Sequence, residues 1–173
     1  MTDTTQASPT KSGFDPQRAL DFARSEVFER TFKEGMALVE ETAAYLDGPG
    51  RAASKRLSRA AALAYAGESM RLTTRLMQVA SWLLVQRAVR DGEIQLAEAA
   101  SEKYRLIARD SQPGPGFAGA DELPAALKSL IVRGAAIYER VRRLDESMYE
   151  SGPVEVANPV SDQLAKLQQA FGR

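Results

Sequence analysis

Leu63 to Val89, LAYAGESMRLTTRLMQVASWLLVQRAV, is the stretch that decides the fold. Leu63, Met70, Met77 and Leu84 recur every seven residues, and Leu72, Leu76, Val79 and Leu83 form an adjacent stripe. Both spacings are helical. Together the stripes make an apolar surface wide enough to contact two neighbours at once, which predicts a central helix with other helices around it. Ser54 or Ser58 is the expected cap, and the helix is expected from about Ser58 to Asp91, roughly 50 Å long at the α-helical rise. Asp91-Gly92 interrupts it.

Upstream, Asp15-Pro16 reads as a helix start, since Asp can cap and Pro fits the first turn. The first helix is expected from Pro16 to Asp47, with Phe28, Phe32, Met36, Val39, Ala43 and Leu46 as its apolar stripe. Gly48-Pro49-Gly50 should end it, with Gly available for the left-handed C′ conformation. Arg51 to Leu57 then reads as a basic connection. Downstream, Glu93 to Ala100 is expected as a shorter helical piece and Lys103 to Ala108 has weak strand character. Ser111 to Ala120, SQPGPGFAGA, reads as a loop. A third helix opens at Asp121 to Pro124 and ends near Glu150, with Leu127, Ile131, Gly134, Tyr138, Val141, Leu144 and Met148 as its stripe. Gly35, Gly67 and Gly134 fall inside predicted helices, where each costs about 1 kcal/mol relative to Ala, so close backbone approach is the expected reason for them.

The expected fold is therefore all-α: an antiparallel three-helix bundle with a long central helix and disordered termini. Residues 1–14 form a polar N-terminal tail with little to bury, 15–150 the bundle domain, and 151–173 a flexible C-terminal tail. Within that tail Val160, Leu164, Leu167 and Phe171 would line one face of a short helix, which at about 13 residues is marginal alone and needs a surface to dock on.

The chain has 173 residues, 44% of them hydrophobic, enough for one domain with a real core. Lys+Arg and Asp+Glu are both 23, so the net charge is zero. A protein that wraps duplex DNA usually carries a basic excess, so no nucleic-acid partner is expected. The absence of cysteine removes disulfides, thiolate chemistry and cysteine-bound metals, and suits a reducing cytoplasm. The N-terminus lacks a secretory h-region, and the longest apolar run, Val79 to Val85, is far below the roughly 20 residues of a membrane span. A cytoplasmic protein with no membrane partner is the expectation.

Histidine is also absent. The carboxylate pairs Glu40-Glu41 and Asp145-Glu146 thus cannot build a diiron site, which uses Glu-x-x-His motifs, and read as solvated helix faces. Pro113-Gly114-Pro115-Gly116 lacks the Gly-Lys-Ser/Thr ending of a phosphate loop. No histidine base stands ready to activate Ser, Thr or Tyr. No enzyme activity, cofactor or metal is expected. Arg71 and Arg75, one turn apart beside Thr73 and Thr74, are candidates for contacting an anion or acidic partner, weighed against local pairing with Glu68. Arg133, Arg140, Arg142 and Arg143 make a second basic cluster, diluted by Glu139, Asp145 and Glu146. Trp82 reads as core, with a dimer interface as the alternative.

Four stretches carry a family resemblance. Leu57 to Glu93, LSRAAALAYAGESMRLTTRLMQVASWLLVQRAVRDGE, closely resembles the alphaproteobacterial regulator of CtrA degradation (RcdA) family, formerly a domain of unknown function. FKEGMALVEETAAYLDGPGR (Phe32 to Arg51), RVRRLDESMYE (Arg140 to Glu150) and PVSDQLAKLQQAFG (Pro159 to Gly172) agree, in order. The resemblance implies a non-enzymatic adaptor: a homodimeric three-helix bundle with flexible termini that helps deliver cell-cycle regulators, such as CtrA-like response regulators, to the ATP-dependent Clp protease. It implies as partners the Clp protease, its associated adaptors and protein cargo. It supplies no catalytic residues. The residues expected to meet a partner are Val160, Leu164, Leu167 and Phe171 in the tail, with Arg71 and Arg75 on the bundle. The competing readings are a bundle binding a small apolar or anionic ligand, in a cavity lined by Met70, Met77 and Leu84, or a DNA-associated regulator.

Overall fold

The structure, a computed structural model, describes residues 16–101, 103–106 and 116–149. Every regular element among them is helical, as expected. In chain order these are α1 (Pro16–Ala23), α2 (Glu26–Asp47), α3 (Pro49–Ser54), α4 (Arg59–Arg90), α5 (Leu96–Ala99) and α6 (Ala125–Tyr149), with a 3-10 turn at Ala120–Glu122 ahead of α6. The described part of the weak strand candidate, Lys103 to Leu106, forms turns.

Side-chain caps set the boundaries. Ser25 breaks the expected first helix in two: it is extended, at φ −77° and ψ 154°, and its hydroxyl accepts from the backbone N–H of Phe28. That cap satisfies an amide at the start of α2 that a continuous helix would not have left open. Ser58 caps α4 in the same way, accepting from Ala61 N–H at 3.2 Å. Gly48 ends α2 at φ −110°, outside the left-handed region, and Pro49 directly opens α3. The basic connection expected from Arg51 is thus helical in its first part.

Three long helices, α2, α4 and α6, pack on one another, and α4 also meets α1, α5 and the 3-10 turn. It is the central helix. Glu29 at the start of α2 pairs with Arg90 at the end of α4, and Gly50 after α2 lies against Tyr65 near the start of α4, so α2 and α4 run antiparallel. Glu41 pairs with Arg133 and Glu34 with Arg140, so α2 and α6 are antiparallel too. With those two pairs antiparallel the third must be parallel, and here it is α4 with α6 rather than the first helix with the last. Gly134 faces Leu72, Asp145 bonds Trp82, and Tyr149 bonds Gln86, so α4 and α6 point the same way.

The cause is the path between them. The chain returns to the start of α4 before α6 begins. There Phe117 lies on Gly67, and Gly119 sits at φ +85° where a Cβ would stand 2.6 Å from the Ala61 nitrogen. Both the conformation and the backbone contact require glycine at 119.

The core is built from Phe28, Leu72, Val79, Trp82, Leu83, Leu127, Ile137 and Val141. Burial of such a side chain contributes about 1.5–3 kcal/mol. On α2 the buried line is Phe28, Thr31, Gly35, Leu38 and Thr42, about one position off the expected stripe. Phe32 and Val39 flank it and Ala43 is exposed. Small residues win the seam because α4 approaches closely: a Cβ on Gly35 would lie 2.7 Å from Leu83 Cδ1. Thr31 is tolerated there because its hydroxyl donates to Val27 C=O at 2.8 Å.

Candidate interaction surface

One α4 stripe faces the core and the other does not. Leu72, Leu76, Val79 and Leu83 are at most 2% exposed, whereas Leu63, Met70, Met77 and Leu84 are 65%, 72%, 68% and 48% exposed. Met70, Met77 and Leu84, expected to line a cavity between the helices in the ligand-bundle reading, instead face outward. They share their face with Ala60, Ala66, Thr73, Thr74 and Ser81. From Ala60 to Leu84 no exposed residue of α4 is charged. A solvated helix face normally carries charges, and an uncharged, largely apolar strip of this length is a candidate interaction surface.

Beside this strip lies a groove of about 460 Å³, bounded by Thr74, Met77, Ser81 and Trp82 on α4 and by Lys103 to Leu106. At its base is a buried polar cluster. Asp145 of α6 is 2% exposed; its Oδ1 accepts from Trp82 Nε1 at 2.8 Å and its Oδ2 from Arg105 Nε at 2.9 Å. The solvated face expected for Asp145 is corrected by this arrangement. Burial pushes its pKa above the ordinary 3.8, against the lowering effect of the Arg105 and Trp82 bonds. Arg105 also lies over the Tyr149 ring, and Tyr149 shares hydrogen bonds with Gln86. The cluster ties α4, α6 and the turn after α5 together. Sequence reading missed it, and its one signal was Trp82, whose buried indole N–H needs an acceptor.

Arg71 and Arg75 diverge despite being one turn apart. Arg71 pairs with Glu68 at 3.1 Å and stacks over Phe117 at 4.6 Å. Arg75 is half-buried and its charge acts on Glu139 of α6. Arg133 grips Glu41 with two bonds of 2.7 Å, Arg140 pairs with Glu34, and Arg142 with Glu139 and Glu146. These guanidiniums hold Glu41 and Glu139 below the usual carboxylate range. The second basic cluster thus largely serves as a lattice across α2 and α6. Val160, Leu164, Leu167 and Phe171 lie outside the described residues.

Among the described residues no group of three or more His, Cys, Asp or Glu is placed to hold a metal ion, and no helix is long and apolar enough to cross a membrane. Chemically, the surface offers apolar contact along α4.

The chain is similar to known proteins over most of its length. Residues 19–171 match a family described as "Protein of unknown function (DUF1465)". The chain is 59% identical to RcdA from Caulobacter crescentus CB15, whose crystal structure superposes with a TM-score of 0.64. That match covers 77% of this chain and 99% of the RcdA chain. Comparison with curated proteins gives no match.

Proposed function

The chain belongs to the DUF1465 family, and from that premise we propose that it is a non-enzymatic adaptor in regulated proteolysis. It helps deliver cell-cycle regulators, CtrA-like response regulators among them, to the ATP-dependent Clp protease in the cytoplasm, and it works as a homodimer. The observation that carries this reading is the 59% identity extending over 99% of the RcdA chain. The long uncharged strip on α4 supports it, because an adaptor acts through surfaces rather than reacting groups.

In this reading the bundle is a platform and the C-terminal tail a tethered hook. Residues 151–158 would allow the amphipathic segment a reach of roughly 15 Å as a flexible chain. Tethering raises its effective concentration at a docked partner. Val160, Leu164, Leu167 and Phe171 then contact that partner as one helical face, with Arg71 and Arg75 as further contacts on the bundle.

A pull-down from native extract, with the full chain and with a truncation ending at Ser151, tests the proposal. The full chain is expected to recover Clp protease components with adaptors or cargo, and the truncation to lose them. Recovery of no protease-pathway protein by either form contradicts it. Within the tail, Leu164→Asp with Leu167→Asp is expected to abolish partner recovery while thermal unfolding of the bundle stays unchanged. Undiminished recovery removes the tail from the mechanism.

A further inference from the structure

We propose that the corner made by α3 and the first turn of α4 docks an acidic, extended segment of a protein partner. The proposal rests on the adaptor reading above for the kind of molecule that brings the segment, and adds to it a surface and a chemistry.

Arg51, Lys55, Arg56 and Arg59 fall within nine residues, and no acid occurs between Asp47 and Glu68. All four are exposed, and among the described residues none of their side chains has a hydrogen-bond or ion-pair partner. This sets them apart from Arg90, Arg133, Arg140 and Arg142, which bind acids of the bundle.

The fold holds these charges on a fixed frame. Gly50 is buried, and a Cβ there would lie 2.5 Å from Tyr65 Oη and 2.7 Å from Tyr45 Cε1, so the start of α3 is pressed onto α2 and α4. Ser58 caps α4 and sets Arg59 at its first position. A cation there opposes the positive end of a 32-residue helix, where an acid is the favourable choice, and the first turn of α4 has none. Because α4 and α6 are parallel, the positive end of α6 lies at the same end of the bundle, and its first turn has no acid either. Positive potential accumulates at this end without serving the fold, and a docked anion is what it stabilises.

The bordering acids decide which anion. Asp47 closes α2 just before α3, and Asp121 and Glu122 stand exposed on the 3-10 turn that packs on α4. A duplex or an anionic membrane presents a continuous field of phosphates that must run over these acids, and duplex binding draws its strength from many phosphate contacts. A short peptide needs only the four cations. Arg51 of α3 and Lys55 at its C-cap are one turn apart, about 6 Å along the axis. Alternate side chains of an extended chain are about 6.8 Å apart, so carboxylates two residues apart reach both. The arginines add paired N–H donors that match a carboxylate.

Binding measurements on the full chain test the corner. The probes are a fluorescein-labelled peptide alternating Glu with Ser, its counterpart alternating Gln with Ser, a labelled DNA duplex, all read by anisotropy, and vesicles of equal parts phosphatidylserine and phosphatidylcholine, read by co-sedimentation. At about 0.15 M salt the Glu peptide is expected to bind, the Gln peptide to stay free, and DNA and vesicles to bind more weakly than the Glu peptide. Arg51→Gln, Lys55→Gln, Arg56→Gln and Arg59→Gln together are expected to weaken the Glu peptide about tenfold, with an unchanged circular dichroism spectrum. Removing as much charge from exposed sites elsewhere, by Arg24→Gln, Arg30→Gln, Lys33→Gln and Arg143→Gln, is expected to leave its affinity unchanged. The proposal is overturned by a wild type that does not bind the Glu peptide, or by equal effects of the two quadruple variants. Tighter binding of DNA or vesicles through the same four residues also overturns it. Peptide binding that only the corner variant loses, in a protein that recovers no protease-pathway protein from extract, upholds the corner and removes the adaptor reading instead.

Discussion

Asp145 is the buried carboxylate at the centre of the polar cluster between α4, α6 and the turn after α5. Its two oxygens take the Trp82 N–H and the Arg105 guanidinium, so it joins the central helix to the turn after α5. Asp145→Ala removes the acceptor of the buried Trp82 indole N–H and the carboxylate that Arg105 bonds, and is expected to cost about 3 kcal/mol in urea unfolding. The acid response carries opposing terms. Glu41 and Glu139 lie below the ordinary 4.5, so the stability they contribute is present above that value and is lost as pH falls through their folded values. Asp145 lies above its ordinary 3.8, so the cost of keeping it ionised is relieved as pH falls. Melting curves taken from about pH 7 down to about pH 3 are expected to show a loss on acidification that Glu41→Gln makes shallower and Asp145→Asn makes steeper. The Glu41 effect is expected to shrink in high salt, because that pair is half exposed. Nothing in the sequence pointed to Asp145 as buried. An acid beside Arg143 and Glu146 looks like any solvated helix position, and its partner Arg105 is 40 positions away along the chain.

At the scale of elements, caps and close approaches decide where helices stop and how they meet. Ser58→Ala removes the acceptor for the Ala61 amide and is expected to lower stability by about 1 kcal/mol, read by chemical denaturation. Gly35→Val is expected to cost about 2 kcal/mol by the same measurement, since even a Cβ there lies 2.7 Å from Leu83 Cδ1. The long helix α4 was legible to within a residue at each end, because two apolar stripes and a capping serine agree. The break at Ser25 was not, because Ser is an acceptable helix residue and only its contact with Phe28 reveals the cap. The α2 stripe was misplaced because apolar pattern alone favours Phe32 and Val39, while the seam is chosen by Gly35 and two threonines that fit a narrow gap.

For the whole molecule, direction and exposure were the two properties hardest to read. The all-α class and the central position of α4 follow from hydrophobic spacing. The parallel sense of α4 and α6 follows from a connection that returns to Gly119 at the start of α4, and no local signal states that path. Exposure is subtler still. Leu72 and Met70 are equally apolar in sequence, yet one is core and the other surface, because which stripe faces inward depends on where α2 and α6 settle. That surplus of apolar surface is of the kind that suits contact with another molecule. The central claim, delivery of regulators to a protease, is tested most directly by reconstitution. Purified Clp protease, its ATPase, the associated adaptors and a CtrA-like response regulator are combined with and without this protein, and loss of the regulator is followed over time. The account predicts ATP-dependent degradation that accelerates with added protein up to saturation. A rate unchanged across the full range of added protein contradicts it.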